Sequence, residues 1–473
     1  MPPAHSLPRV LPSRSSILVS LLVIVLFNVP DWIANFFFFA DRAVFSLDGV
    51  VAVAIGCKYR RLGSVLLPVV WLIGAVFPLS GTYHFHSPTD FILSSRFAGT
   101  LNVLHLFSYG DVVILLIYSV ALLAIRRLQL QQTSFRAFAI AIMVLVTADA
   151  LNGSSLLSDR DTRLLRWNLA GSPVAMIAKD AGSRSANNLR DASDPNSAAL
   201  HHEVLNWAQN NPQGRIFVVV VESLGLVKNK RLQAWLENRL VGGIQQAVHS
   251  TSVSFFGSTT YGELRTLCLL KGNYEALTAE GGAGCLPAML TSKGWRTSAY
   301  HGFSGKMFGR IRWWPKVGFQ DIHFSEDMLS SAPPLCGAAF RGICDSSVLA
   351  KGASALGPST LSYVLTLNTH LPLAGSDIEP ELQALCLAGN VPEQPCTLIG
   401  ALGKVLQEVR HQMDKHPEAL LMVVGDHAPP FRDLASRRLF SEDHVPAWII
   451  YPGLGKDHCS TNCPRALNQL SVP

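Results

Sequence analysis

The sequence predicts an α-helical transmembrane bundle of about five helices followed by one α/β domain with a mostly parallel central sheet. Hydrophobic residues make up 49% of the 473 residues and charged residues only 15%, which is too apolar for an ordinary soluble enzyme. Long apolar stretches concentrate in residues 1–153, which we assign to a transmembrane domain. Strand-like runs alternate with helix-compatible stretches in residues 214–473, which we assign to the α/β domain.

The membrane helices are predicted from five apolar stretches, several of which approach the roughly 20 residues needed to cross a hydrocarbon core. The stretches cover residues 16–39, 46–57, 62–80, 111–126 and 137–152. Arg9 and Arg14 precede the first stretch, as in a secretory signal peptide, but no small-x-small cleavage site follows it. We therefore predict a retained anchor and a membrane-embedded chain.

Basic residues orient this bundle because they cluster on alternate connections. The clusters are Arg9 with Arg14, then Lys58, Arg60 and Arg61, then Arg126, Arg127 and Arg136. Positive residues favour the cytoplasmic side, so five spans place everything after about residue 153 on the outer side. The formal net charge of +6 follows partly from this topology and does not indicate a nucleic-acid partner.

Eight of the nine cysteines follow the membrane part and fall in pairs that are close in sequence. The predicted pairs are Cys268 with Cys285, Cys336 with Cys344, Cys386 with Cys396, and Cys459 with Cys463. Paired cysteines are typical of disulfides in an oxidising compartment. A zinc cluster is the alternative, and the absence of any C-x-x-C spacing disfavours it.

Residues 154–213 are polar and rich in Ser, Asn, Asp and Ala, which predicts a connector between the two domains. Beyond it, strand-like runs occur at 216–221, 297–300, 361–367, 420–424 and 447–451. Helix-compatible stretches occur at 228–240, 262–270 and 397–414. This alternation favours a mostly parallel sheet covered by helices.

Polar side chains follow four of these strands, where ligand sites form in such sheets. They are Glu222, His301, His370, and Asp426 with His427. A single histidine after a strand is more often a surface residue, but four such positions in one chain favour a site. Carboxylate and imidazole groups are ligands for a divalent metal ion.

The segment Gly257–Leu264 supplies hydroxyl groups just before a predicted helix. A hydroxyl at a helix N-terminus experiences the positive end of the backbone dipole, and contact with a metal would make it a nucleophile. An ordinary N-cap is the alternative interpretation. Thr259, Thr260 and, more distantly, Ser258 are the candidate nucleophiles.

Four motifs together resemble the sulfatase-like branch of the alkaline phosphatase superfamily. They are Val221-Glu222-Ser223, the segment 257–264, Thr366-Leu367-Asn368-Thr369-His370-Leu371-Pro372, and Gly425-Asp426-His427. The likeness is greatest to lipoteichoic acid synthases and related membrane-anchored phosphoglycerol and phosphoethanolamine transferases. Those families carry five membrane helices and one extracytoplasmic catalytic domain. The resemblance implies a multi-pass protein of the bacterial inner (cytoplasmic) membrane, with a sulfatase-like catalytic domain in the periplasm.

The resemblance also implies one divalent metal ion held by Glu222, Thr259, Asp426 and His427. The mixed oxygen and nitrogen ligands favour zinc, with manganese and magnesium left open. Thr259 matches the threonine that becomes covalently modified, so it is the favoured nucleophile. His370 matches a histidine that contacts the substrate phosphate or the leaving group.

Two further residues are expected to bind substrate. Arg310 matches an arginine that grips the phosphate-bearing head group, for which a bidentate guanidinium is well suited. His301 lies before it at the end of a predicted strand. Trp313 and Trp314 follow Arg310, and we consider two interpretations of them, an aromatic surface at lipid head-group level or packing inside the domain.

The activity implied by the resemblance is transfer of a phospholipid head group through a phosphothreonine to an envelope glycan or glycolipid. The head group is left open between phosphoethanolamine and phosphoglycerol. Phe308 stands where lipoteichoic acid synthases carry a tryptophan, and the paired cysteines are closer to the phosphoethanolamine transferases.

Two alternative functions are a sulfatase-like hydrolase of phosphate or sulfate esters and a catalytically silent scaffold in envelope glycan assembly. Sulfatases need a Cys-x-Pro-x-Arg type motif, and the one near match, at Cys285, lacks the arginine. The presence of a complete ligand set with a hydroxyl argues against the scaffold.

Overall fold

The computed structural model describes residues 14–38, 43–85, 88–102, 109–127, 135–151, 170–183, 189–192, 194–331, 333–373, 375 and 377–453. The chain forms two compact units. The helical unit comprises Met1–Ser95, Phe107–Ala186 and Arg432–Leu434. The α/β unit comprises Arg96–Leu106, Asn187–Phe431 and Ala435–Pro473.

The helical unit is built around a buried apolar cluster that includes Val23, Phe27, Val50 and Trp71. Its helices are α1 (Arg14–Phe38), α2 (Leu47–Lys58), α3 (Arg60–Thr82), α4 (Pro88–Ser94), α5 (Tyr109–Arg127), α6 (Phe135–Leu151) and α7 (Pro173–Ser183). Two short strands, β1 (Phe45–Ser46) and β2 (Ala170–Gly171), pair in parallel. The five predicted apolar stretches therefore all correspond to helices.

One of these helices has a length and composition compatible with crossing a membrane. Among the described residues, only α1, over Arg14–Ile33, is both long and apolar enough to cross a bilayer. Shorter apolar helical stretches occur at Leu47–Gly56, Arg61–Gly74, Leu115–Ile125 and Phe135–Ala148. The five-span topology accordingly stays a prediction.

Within the described residues, the α/β unit contains a seven-stranded mixed sheet, which is covered by helices, and two short two-stranded sheets. Its strands are β3 (Arg190–Asp191), β4 (Arg215–Val221), β5 (Val248–Ser254), β6 (Leu270–Lys271), β7 (Arg296–His301), β8 (Asp321–His323), β9 (Leu335–Cys336), β10 (Gly342–Ile343), β11 (Thr360–Leu365), β12 (Ala419–Gly425) and β13 (His444–Ile450). Its helices are α8 (Pro195–Asn210), α9 (Lys230–Val241), α10 (Thr259–Cys268), α11 (Ala279–Gly282), α12 (Leu286–Ser292), α13 (Arg310–Val317), α14 (Ser325–Met328), α15 (Asp345–Ser354), α16 (Pro380–Ala388), α17 (Glu393–Lys415) and α18 (Leu434–Arg437).

The order of the large sheet is β5-β13-β12-β4-β11-β7-β8. The neighbours from β12 to β8 are parallel, whereas β13 runs antiparallel to both β12 and β5. All five strand runs predicted from sequence lie in this sheet. Sequence analysis missed β5, whose His, Ser and Thr residues do not form an apolar run, and β8, which has three residues.

The centre of the sheet is the core of the unit. Residues 216–221 of β4 and 419–425 of β12 are buried along their whole length. Continuous aliphatic runs of this kind are required because helices cover both faces of a central parallel strand. Helix α8, within the predicted connector, contributes Leu200 and Val204 to the same core. The domain boundary at residue 214 remains a prediction.

Three disulfides lie in the α/β unit, and they are the predicted ones. The bonds join Cys268 to Cys285, Cys336 to Cys344 and Cys386 to Cys396, with Cα–Cα distances of 3.9, 4.8 and 6.0 Å. The fourth predicted pair, Cys459 with Cys463, lies outside the described residues. Cys268 ends α10, so the first disulfide fixes the far end of the helix that begins at Thr259.

Candidate active site

The ends of two neighbouring strands position the candidate metal ligands. Val221 in β4 and Gly425 in β12 are partners in the parallel ladder, so the residues that follow them emerge side by side. Glu222 is thereby placed next to Asp426, with His427 directly after it. All three side chains are buried, with 3%, 0% and 4% of their surfaces exposed. The residues that follow these two strands therefore lie in one cluster.

The ligand atoms of these three residues lie within 4.8 Å of one another. His427 Nε2 is 3.3 Å from Asp426 Oδ2 and 3.6 Å from Glu222 Oε1. Helix α10 begins at Thr259 and directs its hydroxyl into the cluster. Thr259 Oγ1 lies 3.0 Å from Glu222 Oε2 and 3.3 Å from His427 Nε2. Thr259 therefore contacts the cluster directly.

Hydrogen bonds around the cluster leave electron-pair donors pointing inwards. His427 Nδ1 lies 2.8 Å from the Ala428 carbonyl, so Nδ1 carries the proton and Nε2 presents a lone pair. Asp426 Oδ1 accepts from the Ser223 and His427 amides at 2.8 and 2.6 Å. Asp426 Oδ2 is buried and accepts no hydrogen bond.

This donor set fits a divalent cation. Two carboxylates, an imidazole lone pair and a hydroxyl oxygen converge, and all four groups can bind a cation. A buried carboxylate oxygen without a donor is costly unless a cation or proton compensates for it. Mixed oxygen and nitrogen ligands of this kind are used for zinc and manganese.

The pKa values of the two carboxyl groups are shifted in opposite directions. Burial opposes ionisation of Glu222, but the nearby His370 and His427 and the hydrogen bonds from Ser223 and Thr259 outweigh it and lower its pKa. Burial and the neighbouring Glu222 carboxylate raise the pKa of Asp426 well above its ordinary value. A metal ion would allow both groups to be ionised together.

Burial also lowers the pKa values of His370 and His301, both of which interact with the Glu222 carboxylate. Burial lowers the pKa of His370, although the Glu222 carboxylate acts in the opposite direction. Its Nδ1 lies 2.7 Å from the Leu371 carbonyl, so Nε2 presents a lone pair. Burial and then the Arg310 charge lower the pKa of His301 to about 3. His301 Nδ1 lies 3.0 Å from the Leu365 carbonyl.

Arg310 is buried, and its guanidinium is paired with Glu263. The Nε and Nη2 atoms lie 2.9 and 2.8 Å from Glu263 Oε2. The other oxygen, Oε1, accepts from Trp314 Nε1 at 2.9 Å and from Tyr363 Oη at 3.3 Å. Glu263 therefore fixes the orientation of the guanidinium. Glu263 lies within the segment 257–264, and no role was predicted for it from sequence.

Of the two interpretations of Trp313 and Trp314, the aromatic surface at lipid head-group level is wrong. The two indoles are 2% and 0% exposed, because Trp314 hydrogen-bonds to Glu263 and stacks on Phe324 at 4.9 Å. The packing interpretation is therefore correct. Ile311, between Arg310 and the tryptophans, is 57% exposed.

Aromatic rings pack against two of the candidate substrate-binding residues, His370 and Arg310. Phe340 packs on His370 with ring centroids 3.7 Å apart, and the Phe308 ring lies 5.6 Å from the Arg310 guanidinium. Phe97 contacts Phe308 at 5.6 Å and is buried in the same apolar cluster as Phe303, Met307 and Leu367. Residues 96–102, which lie within the predicted transmembrane domain, thus contribute to the α/β unit. No local sequence signal indicates this long-range contact.

Asp345 holds the loop that carries His370 and gives a testable pH effect. It accepts the Leu367 and Asn368 amides, each at 2.8 Å, and burial raises its pKa to about 7. An unfolded carboxyl titrates near pH 4, so between about pH 4 and 7 the native state binds more protons than the unfolded state. The free energy of unfolding should therefore fall as pH rises through this window.

This slope is measured by thermal unfolding of the full chain in detergent between pH 4.5 and 7.5, at intervals of about half a pH unit. Asp345→Asn should flatten it. An unchanged slope in that variant would show that other groups cause the pH dependence.

No protein-family model and no curated protein matches the chain. Solved structures similar to it include the lipoteichoic acid synthase LtaP from Listeria monocytogenes, with 13% identity, a TM-score of 0.38, and coverage of 51% of this chain and 66% of that one. An alkaline phosphatase superfamily protein from Vibrio parahaemolyticus has 15% identity, a TM-score of 0.37, and coverage of 51% and 62%. The Streptococcus pyogenes phosphoglycerol transferase GacH, in complex with sn-glycerol-1-phosphate, has 16% identity, a TM-score of 0.38, and coverage of 54% and 74%.

The chain thus spans 66% and 62% of the length of the first two proteins. A lipoteichoic acid synthase and a phosphoglycerol transferase are among the kinds of protein that the four sequence motifs resemble.

Proposed function

We propose that this protein is a membrane-anchored, metal-dependent transferase that moves a phospholipid head group, phosphoethanolamine or phosphoglycerol, to an envelope glycan or glycolipid. The supporting observation is the position of the Thr259 hydroxyl beside a buried group of residues suited to binding a metal ion. Its oxygen lies 3.0 Å from Glu222 Oε2 and 3.3 Å from His427 Nε2. A hydroxyl in this position is suited to nucleophilic attack. The head group is transferred in two steps, through a phosphothreonine.

Glu222, Thr259, Asp426 and His427 would hold the metal ion, with zinc favoured and manganese and magnesium open. Such an ion, when bound, lowers the pKa of a hydroxyl and stabilises charge on phosphoryl oxygens. The chain supplies the geometry for this chemistry, because two strand ends and the start of α10 converge.

In the first step, the Thr259 oxygen forms a bond to the donor phosphorus, and the bond from phosphorus to the diacylglycerol oxygen breaks. Glu222 Oε2, 3.0 Å away, accepts the Thr259 proton. The imidazolium form of His370 protonates the departing diacylglycerol oxygen. Arg310, oriented by Glu263, binds the negatively charged head group.

In the second step, an acceptor hydroxyl attacks the phosphothreonine. His370 Nε2, whose lone pair is exposed by the Nδ1 hydrogen bond to Leu371, accepts the hydroxyl proton. Glu222 returns a proton to the leaving Thr259 oxygen. Glu222 is then ionised and His370 is protonated, as the first step of the next turnover requires.

Sulfate-ester hydrolysis is the less favoured activity. The only near match to the sulfatase motif starts at Cys285, and this cysteine is engaged in a disulfide with Cys268. A disulfide-bonded thiol is not available for conversion to a formylglycine.

We further propose that the protein is a multi-pass protein of the bacterial inner membrane, with the α/β unit in the periplasm. Helix α1 fits a membrane anchor, and three disulfides fit an oxidising compartment. A membrane location would bring the α/β unit within reach of a lipid donor.

The proposal is tested by incubating the purified full chain with vesicles of phosphatidylglycerol, phosphatidylethanolamine or phosphatidylcholine and measuring diacylglycerol. We expect release from one of the first two lipids, loss of release with a metal chelator, and recovery on adding zinc or manganese. Release from none of the lipids, together with cleavage of a soluble sulfate ester, would favour the hydrolase instead.

A further inference from the structure

Arg265 is a fully buried cation in the middle of α10, the helix that begins at Thr259. Its guanidinium donates three hydrogen bonds, all to main-chain carbonyl groups. Nη2 lies 2.6 Å from Gly425 O, and Nη1 lies 3.2 Å from Asp426 O and 3.1 Å from Ser254 O. One side chain therefore joins the helix that bears the nucleophile to the turn that bears two metal ligands.

These hydrogen bonds fix the plane of the peptide between Asp426 and His427. The carbonyl oxygen of this peptide is held by Arg265, and its N–H donates to Asp426 Oδ1 at 2.6 Å. With Oδ1 occupied in this way, Oδ2 is the oxygen that faces His427 Nε2, 3.3 Å away. The preceding peptide is fixed similarly, because Gly425 O accepts from Arg265 and the Asp426 amide donates to Val221 O at 3.2 Å.

Gly262 brings α10 close enough for this arrangement. A Cβ atom at Gly262 would lie 2.8 Å from Asp426 Cα and 2.9 Å from Asp426 O, both closer than van der Waals contact allows. Gly262 and Arg265 are three residues apart and share one helix face. The helix backbone thus rests directly on the turn, and the guanidinium closes the same contact.

Burial of the Arg265 charge is not explained by packing alone. Its side chain is 1% exposed, and its hydrogen bonds go to main-chain carbonyls and not to a carboxylate. A buried charge without a hydrogen-bonded carboxylate is costly compared with an apolar residue of similar volume. A positioning role would account for this cost.

We propose that Arg265, together with Gly262, is a positioning element that sets the separation between the Thr259 hydroxyl and the ligand groups of Asp426 and His427. Arg265 does not contact the reacting atoms; it acts through the orientation of the 425–427 turn. This inference rests on the proposed function, because the positioned hydroxyl is its nucleophile.

The test uses the full chain in detergent and the variants Arg265→Met, Arg265→Lys and Gly262→Ala. Three quantities are measured: the thermal unfolding midpoint, the dissociation constant for Mn²⁺ or Zn²⁺ by calorimetry, and kcat and KM for diacylglycerol release. Arg410→Met is the matched control, because Arg410 also donates to main-chain carbonyls, those of Leu240 and Gly242, on helix α17.

For Arg265→Met we expect metal affinity to fall about 10-fold and kcat to fall on the order of 100-fold, as when groups that orient metal ligands are removed. KM should change by less than about threefold, because a positioning residue acts on the reacting geometry and not on substrate binding. Arg265→Lys should recover only part of kcat, because an ammonium cannot reproduce the planar fork that serves three carbonyls. Gly262→Ala should lower kcat in the same way.

If Arg265→Met keeps both metal affinity and kcat within about threefold of the unaltered chain, the inference is overturned. It is also overturned if Arg410→Met shows equal losses. If Arg265→Met does not fold, full kcat and metal affinity in Arg265→Lys would overturn it, and partial loss in a folded Lys variant would support it. If the unaltered chain binds metal but releases no diacylglycerol, the proposed function fails, while the metal affinities still decide the role of Arg265.

Discussion

Replacing Thr259 by alanine is expected to abolish head-group transfer, lowering kcat by at least about 1,000-fold, as expected when a covalent nucleophile is removed. The substitution removes both the attacking oxygen and one oxygen of the metal-ligand cluster, since Thr259 Oγ1 contacts Glu222 and His427. Thr259→Ser should retain a substantial part of the activity, because it keeps a hydroxyl at the start of α10. Diacylglycerol release and acceptor labelling measure these effects.

Thr260→Val is the matched control for this substitution, because Thr260 is the adjacent buried threonine and the second candidate nucleophile. We expect this variant to retain transfer. Loss of transfer in Thr260→Val combined with activity in Thr259→Ala would reassign the nucleophile to Thr260.

Replacing Asp426 by asparagine is expected to produce the second large effect, the loss of tight metal binding. The Asp426 Oδ2 atom is buried, accepts no hydrogen bond and lies 3.3 Å from His427 Nε2, so its lone pairs are available to a cation in the cluster. An amide nitrogen in its place cannot bind a cation. Activity should fall together with metal affinity.

The stability of this variant, compared with that of the unaltered chain, should depend on whether metal is present. In the metal-free protein, Asp426→Asn removes a carboxyl that is buried beside Glu222, so the unfolding midpoint should stay the same or rise. Added metal should stabilise the unaltered chain by about 2.7 kcal/mol at 100 times its dissociation constant and should not stabilise the variant.

Asp414→Asn is the control, because Asp414 is a surface carboxylate that pairs with Arg410 on α17. It should show the same metal-dependent shift of the unfolding midpoint as the unaltered chain. Equal stabilisation of Asp426→Asn by metal would exclude Asp426 from the metal site.

The parts of the fold and the site that could be predicted from sequence are those set by local pattern. The runs before Glu222 and Asp426 are continuous aliphatic segments, and such segments occupy buried central strands whatever the rest of the chain does. Parallel pairing of these strands then brings the two carboxylates together. Short spacings between cysteines likewise predicted three disulfides that the structure contains.

The parts that could not be predicted depend on contacts between distant segments. The pairing of Arg310 with Glu263 joins residues 47 positions apart, and Arg265 reaches carbonyls 160 and 161 positions away. Neither contact leaves a local periodicity in the sequence. Local sequence left two interpretations of Trp313 and Trp314 open for the same reason, because the contacts of Trp314 that decide between them, with Phe324 and Glu263, are not all close in sequence.

The central proposal is a phosphothreonine intermediate at Thr259, and the most direct measurement is the intact mass of the full chain after incubation with phospholipid and metal but without acceptor. We expect one covalent head-group adduct, mapped by peptide mass to Thr259 and absent from Thr259→Ala. The mass of the adduct would also separate glycerol from ethanolamine. An adduct that persists in Thr259→Ala, or turnover of the donor without any adduct on the chain, would contradict the proposal.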